Sequence, residues 1–83
     1  APDRLILDDP GEELAPIIVQ EIHRILADLK RQQVTMLLVE KNFAFATSLA
    51  DSVYVIGKGQ VRWSGSSEAL RAAEEIKATW LGV

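Results

Sequence analysis

Arg4-Leu5-Ile6-Leu7-Asp8-Asp9-Pro10-Gly11 is the stretch that decides the fold class of this chain. A short apolar run without alternation suits a strand covered on both faces, as strands of a parallel sheet are. Asp-Pro-Gly then stops it, because proline fixes φ and lacks an amide donor while glycine permits a turn. Downstream, Pro16 is placed to open a helix, where its missing N–H does no harm. Ile18, Ile22, Ile25, Leu26 and Leu29 recur at three- and four-residue steps and predict one apolar stripe. Gln20, Glu21, Arg24, Asp28 and Arg31 occupy the other side, with Glu21 and Arg24 at a spacing that favours an ion pair.

Val34 to Val39 predicts a second buried strand, ending in Glu40-Lys41-Asn42. Phe43 to Leu49 reads as a short helix, Asp51-Ser52 turns the chain, and Val53 to Ile56 is a third strand. Gly57-Lys58-Gly59 makes a tight turn into Gln60-Val61-Arg62-Trp63, a hairpin pattern. Ser64-Gly65-Ser66-Ser67 breaks it. Ser67 is placed to cap a helix from Glu68 to Ala73, and a further helix runs from Glu74 to Leu81. Alternating strands and helices predict an α/β fold, with a mainly parallel sheet, flanking helices, a C-terminal hairpin and short closing helices.

At 83 residues the chain holds one domain at most, and a chain of this size leaves about 40% of its unfolded surface exposed. The 48% apolar content supports a packed core, and the absence of cysteine removes disulfides and thiolate metal sites. A net charge of −3 without a dense Lys/Arg run argues against nucleic acid. No apolar stretch reaches the roughly 20 residues of a membrane span, and Arg4, Asp8 and Asp9 interrupt the N-terminal run, so no secretory pattern is present. A cytoplasmic protein is expected. Because the chain opens almost directly into a strand that calls for neighbours on both sides, it reads as a fragment.

In open α/β sheets ligands bind beyond the carboxyl ends of the strands. Two polar clusters stand there, Asp8-Asp9 and Glu40-Lys41-Asn42, and parallel strands would bring both to one edge. Adjacent carboxylates suit a hard cation such as Mg²⁺, which takes one or two carboxylates plus waters and phosphates. One of them could instead act as a base. The plainer alternative is an acidic turn. His23, the single histidine, has no second ligand candidate and reads as structural. Trp63, Trp80 and Met36 read as packing residues.

Leu5 to Val19, LILDDPGEELAPIIV, resembles the Walker B and D-loop region of ABC-transporter ATPases. The Leu14-Ala15-Pro16-Ile17-Ile18-Val19 continuation is similar to the ATPase subunits of branched-chain amino-acid importers. The resemblance runs on through VTMLLVEKNFAFATSLADSVYVIGKGQV to the closing WLGV. It implies that residues 1–83 are the C-terminal portion of one nucleotide-binding domain, a partial P-loop NTPase core. It also implies Mg²⁺ and ATP as cofactors of the intact protein. On this resemblance Asp8 holds the metal, Asp9 stands where the catalytic glutamate orients the attacking water, and Lys41 stands at the switch position that senses the γ-phosphate. Gly11, Glu12, Glu13, Leu14 and Ala15 match the D-loop, which contacts a second ATPase subunit.

Several positions depart from the family pattern. Asp9 is one methylene shorter than the usual glutamate, Gly11 and Glu13 replace the common Thr and Gly, and Lys41 replaces histidine or glutamine. No G-x-x-x-x-G-K-[ST] loop, Q-loop or Leu-Ser-Gly-Gly-Gln signature occurs. The expectation is therefore that this chain alone neither binds nucleotide tightly nor hydrolyses ATP. The parent assembly implied is a pair of ATPase subunits beneath a membrane permease, at the inner face of the cell membrane. Two alternatives follow from the same residues. One is a non-enzymatic α/β interaction module that self-associates through its exposed first strand. The other is a receiver-like Mg²⁺-binding domain, for which the expected phosphoacceptor aspartate and lysine are misplaced.

Overall fold

The computed structural model describes residues 4–10 and 13–83. The chain divides into two compact units, Ala1–Leu49 and Ala50–Val83. In the first unit, β1 (Arg4–Asp8), α1 (Pro16–Arg31), β2 (Thr35–Val39) and α2 (Phe43–Leu49) follow one another. β1 and β2 pair in parallel, in register from Arg4 opposite Thr35 to Asp8 opposite Val39. Leu26, Phe45 and Leu49 are buried, and Leu5, Leu7, Met36 and Leu38 pack against them from one face of this sheet.

The other face is open. Ile6 is 75%, Leu37 60% and Val39 51% exposed. Burial of both faces was the sequence expectation, and among the described residues it holds for one. Successive side chains point to opposite faces, and only one face meets α1 and α2. The stripe on α1 is also shifted from its expected position. Val19, Ile22, Leu26 and Leu29 pack on the core, whereas Ile18 and Ile25 remain 48% and 46% exposed. A helix carries more apolar positions here than one contact face can cover, and packing chooses among them.

Proline stands at the first turn of α1, as expected, and Ala15 precedes it without a side-chain cap. The helix ends in a six-to-one closure: Gln33 N–H donates to Lys30 C=O at 3.0 Å and Val34 N–H to Leu29 C=O at 3.2 Å. Gln33 adopts φ 67° to make this turn. Lys30 reaches from the last turn of α1 and donates its Nζ to the Leu49 carbonyl at the end of α2, 2.8 Å away. Arg24 donates to Glu21 on the exposed side, and that guanidinium holds the Glu21 carboxyl below its usual range.

The second unit carries β3 (Ser52–Gly57), β4 (Gln60–Ser66), α3 (Ser67–Ala72), the single turn α4 (Glu74–Ile76) and a π-helical turn (Lys77–Leu81). β3 pairs antiparallel with β4, so it belongs to a hairpin sheet of its own. Lys58 (φ 51°) and Gly59 (φ 76°) form the two-residue loop, the left-handed pair that a twisted hairpin favours. Residues 64–66 extend β4 instead of breaking it, and the helix cap is Ser66, whose hydroxyl accepts from Ala69 N–H at 3.0 Å. Ser67 is buried, and its hydroxyl donates to the Ala50 carbonyl. Among the described residues, no helix is long and apolar enough to cross a membrane.

Candidate functional site

The parallel register places Asp8 opposite Val39, so the segments that follow β1 and β2 leave the sheet at the same edge. Asp9 N–H donates to Val39 C=O at 2.7 Å, one ladder bond beyond the end of β1. To make it, Asp9 sits at φ 48°, a left-handed conformation in which aspartate is among the few tolerated side chains. Asp8 is exposed, on the same face as Ile6. Asp9 is half-buried, and its Oδ1 is shielded from solvent without a hydrogen-bond donor among the described residues.

Glu40 entered the sequence reading only as a member of the Glu40-Lys41-Asn42 cluster, without a role of its own, yet its side chain organises the segment after β2. Its Oε1 accepts from the Lys41 amide at 3.0 Å and the Asn42 amide at 3.1 Å. Its Oε2 is shielded and, like Asp9 Oδ1, has no donor among the described residues. Asn42 in turn caps α2, its Oδ1 accepting from Phe45 N–H at 3.0 Å. The signal available in the sequence was an acidic residue directly after a buried strand. Its inward turn depends on the local backbone, which side-chain identity does not announce.

Lys41 is exposed and lines an open groove of about 640 Å³ together with Glu13, Leu14, Gln20, Glu40 and Asn42. Glu13 adopts φ 60°, and Ala15 accepts the first bonds of α1 from Ile18 (2.9 Å) and Val19 (3.0 Å). Of the residues predicted for the site, the groove thus gathers Glu13, Leu14 and Lys41. Asp8 and Asp9 are not among its described lining residues. Gly11 and Glu12 lie outside the described residues. His23 has a structural setting: Nε2 lies 2.7 Å from Ser48 Oγ and the ring stands edge-on to Phe45 at 5.7 Å. Because Ser48 Oγ donates to the Phe45 carbonyl, the histidine is the donor in this pair.

Carboxylate oxygens, the ligand type a hard cation takes, stand at the strand ends, and two of them are shielded and have no donor among the described residues. Among the described residues no three His, Cys, Asp or Glu side chains converge on one point. A cation bound here would therefore complete its shell with waters or ligand oxygens, as Mg²⁺ on a phosphate does. Asp8, Asp9, Glu13 and Glu40 outnumber Lys41, so a bare phosphate anion would be repelled.

Over 81 residues, 98% of the chain, the sequence is 40% identical to the high-affinity branched-chain amino acid transport ATP-binding protein BraG of Pseudomonas aeruginosa. Along nearly its whole length the chain is similar to the ATP-binding proteins of ABC transporters. LivG of Escherichia coli, a branched-chain amino acid transport ATP-binding protein, is 28% identical over 82 residues. The lipopolysaccharide export ATP-binding protein LptB of Haemophilus influenzae is 27% identical over 81 residues. Each match covers 98% of this chain and, respectively, 35%, 32% and 34% of the BraG, LivG and LptB lengths. The chain thus spans about a third of its ABC relatives. In structure it resembles cbiO1 of Clostridium perfringens, part of an ABC transporter complex, with a TM-score of 0.74 and 24% identity over 94% of this chain and 33% of that one. That likeness shows the ABC ATPase fold. No protein-family model matches the chain.

Proposed function

We propose that this chain supplies the metal-and-water edge of an ATP site in the ATPase subunit of an ABC importer, one that serves branched-chain amino acids or related solutes. The observation that carries the reading is the parallel register of β1 and β2, which sets Asp8, Asp9 and the Glu40–Lys41 segment at one edge. Asp8, exposed there, is the Mg²⁺ ligand. Asp9 orients the attacking water or takes its proton. Lys41 contacts the γ-phosphate as a fixed positive charge. Gly11, Glu12, Glu13, Leu14 and Ala15 meet a second ATPase subunit, and a membrane permease couples the pair to transport. Because the sequence contains no lysine-bearing phosphate loop, the chain by itself neither binds nucleotide tightly nor turns it over.

The test is a hybrid in which this segment replaces the aligned 81 residues of the Pseudomonas protein, assayed with its permease for ATP turnover and branched-chain amino-acid uptake. Asp9→Asn in that hybrid should lower turnover by about a hundredfold or more, the contribution of a positioned acid–base group. Turnover unchanged by Asp9→Asn would remove this residue from the chemistry.

A second reading is favoured by the open sheet face. Ile6, Leu37 and Val39 form an apolar surface on a parallel pair, and parallel sheets are ordinarily covered on both sides. On this reading the isolated chain is an interaction module that associates with itself.

A further inference from the structure

We propose that Glu40 is a positioning residue that fixes Lys41 at the rim of the groove. The inference rests on the reading of Lys41 as the phosphate-sensing cation and names the group that aims it. Between the last residue of β2, Val39, and the first of α2, Phe43, the chain has few residues in which to turn. Glu40 Oε1 accepts both free amides of that turn, at Lys41 (3.0 Å) and Asn42 (3.1 Å). Charge-assisted bonds of this kind are stronger than neutral ones. Asn42 Oδ1 then accepts from the amide three residues on, at Phe45. Lys41 is held between two side-chain caps while its own side chain stays exposed on the groove.

The second oxygen makes the case more specific. A turn that only joined a strand to a helix could be capped by a neutral carbonyl oxygen, with no charge withheld from water. Glu40 instead keeps Oε2 shielded and without a donor among the described residues, an arrangement that lowers stability.

Two measurements decide it. In the 83-residue chain, amide hydrogen exchange is followed by NMR in Glu40→Ala and Glu40→Gln. Glu40→Ala should speed exchange at Lys41 and Asn42 by about tenfold, the worth of one lost bond, while the β2 amides keep their protection. Glu40→Gln, whose carbonyl oxygen can accept the same amides, should stay within about threefold. In the hybrid ATPase, Glu40→Ala should reduce kcat by about tenfold to a hundredfold with KM for ATP little changed, as expected for a misplaced group. Lys41→Ala should do the same, the double variant should be no worse than either single one, and Glu40→Gln should restore most of the rate. Unaltered exchange in Glu40→Ala, or losses that simply add, would overturn the proposal. A parent hybrid without ATP turnover would sink the phosphate-sensing reading itself, and the exchange result would still decide whether Glu40 holds the turn.

Discussion

Gly57 has no room for a side chain. A Cβ built there would stand 2.4 Å from Cε3 and 2.7 Å from Cζ3 of Trp80, and the Arg62 side chain closes the same space, its Nε donating to the Gly57 carbonyl at 2.8 Å. Arg62 also lies over the indole, 4.7 Å from the ring centroid, so strand, turn and C-terminal helix meet at one glycine. Gly57→Ala should destabilise the second unit by about 1–3 kcal/mol, the range for forced overpacking. Thermal unfolding followed by tryptophan fluorescence measures this, and the same substitution in a Trp80→Leu background should be nearly neutral. An equal loss in both backgrounds would remove Trp80 from the explanation. Trp80 as a packing residue was legible in its type. Nothing in a Gly-Lys-Gly turn, however, says which ring its first glycine must receive.

Helix α1 shows how far local pattern reaches. Its start follows from Pro16 and its amphipathic body from the spacing of apolar residues, and both were readable because they involve neighbours one turn apart. Its end was less visible. Gln33 takes the left-handed position that glycine usually fills in this closure. The left-handed backbone costs a non-glycine residue about 1 kcal/mol, and glycine gives part of that back through its freer unfolded chain. Gln33→Gly should therefore raise stability by about 0.5 kcal/mol, seen as a higher Tm by circular dichroism. A lower Tm would mean that Gln33 is unstrained in this turn. At the hairpin's far end the cap moved by one residue, from Ser67 to Ser66, because β4 runs on through Gly65 and delivers Ser66 in an extended conformation at the helix entrance. Adjacent serines offer the same side chain, and strand length chose between them.

On the scale of the whole chain, the apolar surface left open is the property that sequence alone misjudged. The face of β1 and β2 that carries Ile6, Leu37 and Val39 is exposed, and in the second unit so are Tyr54 (67%), Ile56 (68%) and Val61 (59%). Exposed apolar side chains on one sheet face favour association. The 83-residue chain should therefore self-associate in sedimentation velocity at high concentration, and Leu37→Lys should shift it toward monomer without lowering its Tm. A sharp monomer for the unsubstituted chain would count against association through this face.

The sequence by itself determined the kind and order of the elements, the placement of acids directly after strands, and the resemblance to ABC-transporter ATP-binding proteins. These rest on residue type and on periodicities of a few positions, which short-range sterics and hydrogen bonding enforce. Only the tertiary structure decided which face of the parallel pair is covered, which residues of the α1 stripe reach the core, and that the β3–β4 hairpin read from the sequence forms a sheet of its own. It also turned Glu40 inward to hold the Lys41 segment. Each of those outcomes depends on backbone direction and on groups brought together by folding, and burial is a property of that assembled surface that no residue carries in its own name.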